Sequence, residues 1–75
     1  MTLAEGTAEK QYKVLSFDTN DEEMESFLLS LGCYQGETIG LIGVRGKNYT
    51  VSIRDGRYTI DKNLAEAITV ELISA

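Results

Sequence analysis

Apolar positions along the chain change their spacing several times, and each change marks an element. Lys10 to Phe17 reads as a strand, with Tyr12 and Val14 on one face and Leu15 and Phe17 on the other. Apolar content on both faces of so short a run predicts a bend or bulge near Leu15. The period then becomes helical. Asp18 to Glu23 is a helix start in which Thr19 or Asn20 can cap free N–H groups, with acids at the positive end of the dipole. Met24, Phe27, Leu28 and Leu31 follow at i, i+3, i+4 and i+7 and share one face of a helix about three turns long. Gly32 is the left-handed stop.

After Gly36 the period returns to two. Glu37 to Val44 alternates loosely, and Gly40 and Gly43 within it predict coiling or close backbone approach. Arg45-Gly46-Lys47 is a short turn. Asn48 to Arg54 alternates cleanly, with Tyr49, Val51 and Ile53 on one side, and Asp55-Gly56 reads as a two-residue hairpin turn with positive φ at both positions. Arg57 to Ile60 returns, Asp61 or Asn63 starts one helical turn through Ala65, and Ile68 to Ile73 is the last strand with Ile68, Val70 and Leu72 inward. The fold class expected is mainly β. Five short strands form a small, partly open barrel, with one α-helix between the first two strands and a one-turn helix before the last. Residues 1–75 form a single domain, and residues 1–9, small and polar, are expected to be loosely ordered.

Charge narrows the function. The chain carries 7 Lys+Arg against 12 Asp+Glu, a net −5. Phosphate binding needs a basic face that releases counterions, so this balance disfavours nucleic acid as a partner and an anionic membrane as a docking surface. Hydrophobic residues at 43% and charged residues at 25% place the chain in the globular range. One thiol, Cys33, cannot form an intramolecular disulfide, which fits a reducing compartment. Met1 to Gly6 includes an early acid and no apolar run, unlike a secretory leader, and no stretch approaches the ~20 apolar residues of a membrane span. A cytoplasmic domain without membrane insertion is expected.

Leu28-Leu29-Ser30-Leu31-Gly32-Cys33-Tyr34-Gln35-Gly36-Glu37-Thr38-Ile39 resembles the Leu-Gly-Leu-x-Pro-Gly-x-x-Ile segment of the FeoA family, small cytosolic proteins encoded with the ferrous-iron permease FeoB. Tyr58 to Val70 is similar to the family's closing strand, one-turn helix and Ile-x-Val strand, and Met1-Thr2-Leu3-Ala4 looks like its opening. The resemblance implies an SH3-like five-stranded barrel, the same order read from the periods. It also implies a non-enzymatic accessory role in ferrous-iron uptake through contact with FeoB or a second copy. Two departures stand out: Gln35 occupies the position of the family's usual Pro, and the loop at Arg45-Gly46-Lys47 is shorter. A related SH3-like domain also ends some iron-dependent repressors, so a free-standing SH3-like adaptor that binds a protein or peptide is the alternative.

The candidate residues follow from these elements. Asp18, Asp21, Glu22, Glu23 and Glu25 could hold Fe²⁺ or Mg²⁺ weakly, but they sit on one element and the chain has no His, so no metal site and no cofactor is assigned. Cys33 follows a helix C-terminus, which disfavours a thiolate, and the family often has Leu there, so the resemblance implies a packed apolar role. No nucleophile, base and orienting group can be named, so no catalytic residue is expected. Partner contact is placed at the helix-to-strand corner. Leu29 falls outside the apolar stripe there, and Cys33 and Tyr34 follow on an exposed turn. Arg45, Lys47, Arg54 and Arg57, on two adjacent turns, form the second candidate surface.

Overall fold

The computed structural model describes residues 1–74, so Ala75 of the expected domain lies outside the described residues. The strands are β1 (Lys10–Phe17), β2 (Thr38–Arg45), β3 (Asn48–Ile53), β4 (Gly56–Asp61) and β5 (Ile68–Ser74). Helix α1 (Glu22–Ser30) separates β1 from β2, and the one-turn α2 (Lys62–Glu66) precedes β5. The five strands make one antiparallel sheet in the order β4-β3-β2-β1-β5. It coils around a core of Tyr12, Val14, Ile39, Leu41, Val51, Ile53, Ile60, Ile68 and Val70. β4 and β5 are its two edges, and α2 packs across the opening against β3, β4 and β5. This is the mainly β, partly open barrel that the alternation predicts.

Several local expectations hold for the reasons given. The β1–β5 register shifts between Val14 and Ser16, which puts the bulge at Leu15. The register of β2 with β3 shifts between Leu41 and Gly43, and Gly40 lies so close to Ser52 and Gln11 that a side chain there would collide with both. Asp61 caps α2 by accepting from Leu64 N–H at 2.8 Å.

Others are corrected. Residues 1–9 are held rather than loose. Leu3 to Glu5 form a 3-10 turn, Leu3 is 0% exposed, and Thr2 bridges Thr69 on β5. The physical reason lies in the two buried tyrosines, whose hydroxyls need partners away from water. The Tyr12 hydroxyl accepts from Thr7 N–H at 2.7 Å, and the Tyr49 hydroxyl donates to the Ala4 carbonyl at 3.2 Å. The cap of α1 is Asp21, which accepts from Glu23 and Met24 N–H, while Thr19 Oγ1 accepts from Asp21 N–H. The helix meets the barrel along a narrow line. Leu28 is its buried residue, Met24 and Leu31 pack partly against the core, and Phe27 is 47% exposed.

Leu72 stands opposite Tyr12 but is 50% exposed, because β5 runs on past the N-terminal segment that covers its start. The β3–β4 turn is Arg54-Asp55, one residue earlier than expected. Gly56 already pairs with Ile53, and it is Arg54 that takes positive φ, at 55°. Gly56 serves close packing instead, since a Cβ there would run into the Tyr58 ring.

Candidate functional site

The corner between α1 and β2 is built from backbone outward. Leu31 N–H reaches the Leu28 carbonyl at 3.1 Å, Gly32 N–H the Leu29 carbonyl at 3.0 Å, and Cys33 N–H the Leu28 carbonyl at 3.1 Å. Gly32 makes this stop with φ +92°, a conformation that a Cβ disfavours. Tyr34 to Glu37 then form a turn closed by Glu37 N–H on the Tyr34 carbonyl at 3.0 Å, with Gly36 at φ +89°. Positive φ at the third position is the type II pattern, whose second position favours Pro; Gln35 stands there. Val14 of β1 anchors the turn on both sides: its carbonyl accepts from Gly36 N–H at 2.8 Å, and its N–H donates to the Glu37 carbonyl at 2.9 Å. The corner is thus tied to the central part of the sheet.

On this frame sits a polar and aromatic constellation. Arg54, from the β3–β4 turn, donates to Glu37 Oε1 at 3.0 Å, and its guanidinium carbon lies 5.6 Å from the centre of the Tyr34 ring. Its stem passes over Gly32, where a Cβ would come 3.5 Å from Arg54 Cδ. Tyr34 is 46% exposed. The pair between Arg54 and Glu37 is open to water, so it contributes a few tenths to about 1 kcal/mol and chiefly fixes where the guanidinium points. Glu37 has no signal in the sequence, since it lies 17 residues from Arg54 and only the fold brings the two together.

The sequence-predicted residues divide. Tyr34 and Arg54 come together at the corner. Leu29 is half-buried on α1. Cys33, placed on an exposed turn for partner contact, is 1% exposed within the core, so it offers nothing to a partner. Burial, with the Glu37 carboxylate second, pushes its thiol up to about 11, which makes it a poor nucleophile and a poor ligand.

The four cations do not form one surface. Arg45 and Lys47 lie at the β2–β3 turn, Arg54 and Arg57 at the β3–β4 turn, and these are opposite ends of β3. A strand of that length separates its ends by ~17–20 Å. Lys47 instead lines a shallow cavity of about 290 Å³ with Asp61, Lys62, Asn63 and Glu66, a mixed-charge lining that selects neither anion nor cation. Among the described residues no three His, Cys, Asp or Glu side chains converge as a metal site, and the Asp21 carboxylate is engaged in capping α1. Nor is any helix of the described residues long and apolar enough to cross a membrane.

A family model described as the FeoA domain matches residues 1–72. No curated protein sequence matches. Among solved structures, an iron uptake regulatory protein (FeoA) superposes with a TM-score of 0.88 at 22% identity, over 97% of each chain. A zinc complex of FeoA from Stenotrophomonas maltophilia, described as a unique procaryotic SH3 domain protein, gives 0.84 at 22% identity over 95% of this chain and 89% of that one. A manganese-dependent transcriptional repressor gives 0.89 at 18% identity, over 96% of this chain and 40% of that one. The SH3-like fold therefore occurs both alone and as part of a longer protein.

Proposed function

The chain belongs to the FeoA domain family, and from that premise we propose that it is a non-enzymatic accessory protein of ferrous-iron uptake that contacts the cytoplasmic side of a FeoB-type permease. The Stenotrophomonas maltophilia relative is put forward as a bacterial ferrous iron transport activating factor, which supports the same setting for this chain. The observation that carries the contact is the corner, an exposed aromatic ring under a guanidinium that an ion pair holds in place. Tyr and Arg are the residue types most enriched where interfaces concentrate their energy, and pre-ordering them lowers the entropy lost on binding. The adaptor alternative fits less well. A proline-peptide groove needs several aromatics side by side, whereas Tyr12 and Tyr49 are buried and Tyr58 is partly packed against the core.

Binding of the purified chain to permease-containing membranes or to the permease's soluble domain tests this. Tyr34→Ser with Arg54→Ser should weaken binding by at least ~30-fold, the effect of losing about 2 kcal/mol at an anchor. Circular dichroism should show the fold unchanged. Normal binding by a folded double variant would remove the corner from the interface, and no binding by the wild-type chain would remove the permease as partner.

A further inference from the structure

Asp55-Gly56, at the β3–β4 turn, is the only place in the chain where an Asp or Asn precedes a glycine. Asp55 is exposed, and among the described residues no cation pairs with its carboxylate. Asp21 and Asp61, by contrast, are committed to capping α1 and α2. The turn is poorly matched to its residues. Arg54 has φ 55°, and Asp55 does not share that left-handed conformation. Positive φ at the first turn position alone is the type II′ pattern, and that place favours glycine. Arg54 occupies it despite its Cβ, offset only by a water-exposed bond to Glu37. β4 is an edge strand, and α2 follows it at the Asp61 end, away from the turn. The pairing of Ile53 with Gly56 is therefore the last rung of an edge hairpin, closed by an ill-fitting turn. Rungs of this kind open locally while the rest of a sheet stays folded.

We propose that Asp55-Gly56 is a site of spontaneous backbone modification, where aspartate converts to isoaspartate through a cyclic imide. When the rung to Ile53 opens, the Gly56 nitrogen is released, and no Cβ shields it. It attacks Cγ of the Asp55 carboxyl group. A bond forms between that nitrogen and Cγ, and the carboxyl hydroxyl leaves with the amide proton as water. Solvent water then opens the imide ring. Addition at Cγ restores aspartate. Addition at the original backbone carbonyl breaks its bond to the Gly56 nitrogen. The main chain then runs through Cβ and Cγ, with a carboxylate left on Cα. One water is lost and one regained, and nothing is oxidised or reduced. The closed turn holds Gly56 in its pairing with Ile53, so the rate follows the fraction of time that the rung is open. The product has one more main-chain carbon between Arg54 and Gly56. The closing pair of the two-residue turn is lost, and with it the position of Arg54 beside Tyr34 and Glu37. The reaction concerns this chain alone and is independent of any permease.

Prolonged incubation of the purified chain at neutral pH tests it, read by peptide mapping and by methyl transfer from an isoaspartyl-specific methyltransferase. Isoaspartate should accumulate at position 55 and not at the other aspartates. Asp55→Glu, whose longer side chain closes a less favourable ring, should abolish it. Leu3→Ala separates local opening from general unfolding. Leu3 is 0% exposed in the N-terminal segment, which is tied to the far end of β3 through Tyr49. Its truncation weakens the barrel but not the turn. A reaction that ran through the unfolded chain would speed up by about a hundred-fold or more in that variant. Reaction through the open turn should stay within about two-fold of the wild-type rate. Three results would overturn the proposal. One is no isoaspartate at 55 under conditions that convert an unstructured peptide spanning Ser52 to Thr59. The others are conversion spread equally over the other aspartates and a rate that climbs with Leu3→Ala.

Discussion

Leu3→Ala isolates how far the N-terminal segment belongs to the core. Leu3 is 0% exposed in its 3-10 turn, with its carbonyl accepting from Gly6 N–H at 2.9 Å. The substitution removes three carbons from a dry site. At ~0.8 kcal/mol per buried methylene the transfer loss is about 2.4 kcal/mol. Any cavity that persists adds ~24 cal/mol per Å³. The segment is a chain end and can settle inward, but the Tyr12 and Tyr49 hydroxyls hold it at Thr7 and Ala4, so collapse is partial. The expected loss is about 3 kcal/mol. A chain of this length has roughly 4–11 kcal/mol in all, so the loss is a large share. With a urea m-value near the low end of the small-protein range, about 1 kcal/mol/M, the midpoint should fall by about 3 M. Equilibrium urea unfolding followed by far-ultraviolet circular dichroism measures it. A loss below about 1 kcal/mol would mean that the segment is an ornament on an already complete barrel.

Three further outcomes follow from the same geometry. Leu28→Ala should cost about 2–5 kcal/mol in urea unfolding, while Phe27→Ala, on the exposed side of the same helix, should stay within about 0.5 kcal/mol. Cys33 has a folded-state pKa raised to about 11 from 9.0, so its contribution is full below pH 9 and is lost as pH rises through 11. Urea midpoints should therefore fall more steeply over that window in the wild type than in Cys33→Val. Arg54→Gly relieves a left-handed backbone worth ~1–2 kcal/mol and removes an exposed ion pair worth ~0.2–1 kcal/mol, so the melting temperature should hold or rise. A clear drop would show that Arg54 is structural.

What the sequence reveals here is what repeats along it. Apolar residues on both faces of Lys10–Phe17 predict the bulge at Leu15, because one face of a regular strand cannot bury both sets. The helix stop at Gly32 and the cap at Asp61 are local chemistry and appear where local chemistry puts them. Leu3 has no periodic neighbours, and its burial depends on hydroxyls of Tyr12 and Tyr49 that only the barrel brings near it. The apolar spacing of Met24, Phe27, Leu28 and Leu31 identifies a shared face but not its width. The barrel meets a narrower stripe, and Phe27 is left outside. Sequence proximity misleads for the cations. Antiparallel strands send successive turns to opposite ends, so Arg45 and Lys47 are remote from Arg54 and Arg57 although a single short strand joins them.

The one turn whose position departs from the local rule is also the turn that supplies the corner. Asp55-Gly56 offers a hairpin signal in which glycine takes the positive φ, yet the sheet register assigns that φ to Arg54. The displacement leaves Gly56 paired with Ile53 in β4, where a Cβ would meet the Tyr58 side chain. Its consequence is that the residue in the left-handed conformation bears a long cationic side chain, aimed across Gly32 at Tyr34 and Glu37. An Asn or Gly at position 54 would satisfy the backbone better. A left-handed residue with a long side chain is a local inconsistency, and here it coincides with the aromatic–cation pair of the corner. A partner that reads Tyr34 and Arg54 together would therefore be reading a geometry fixed by the β3–β4 register, which gives the positive φ to Arg54 rather than to Gly56.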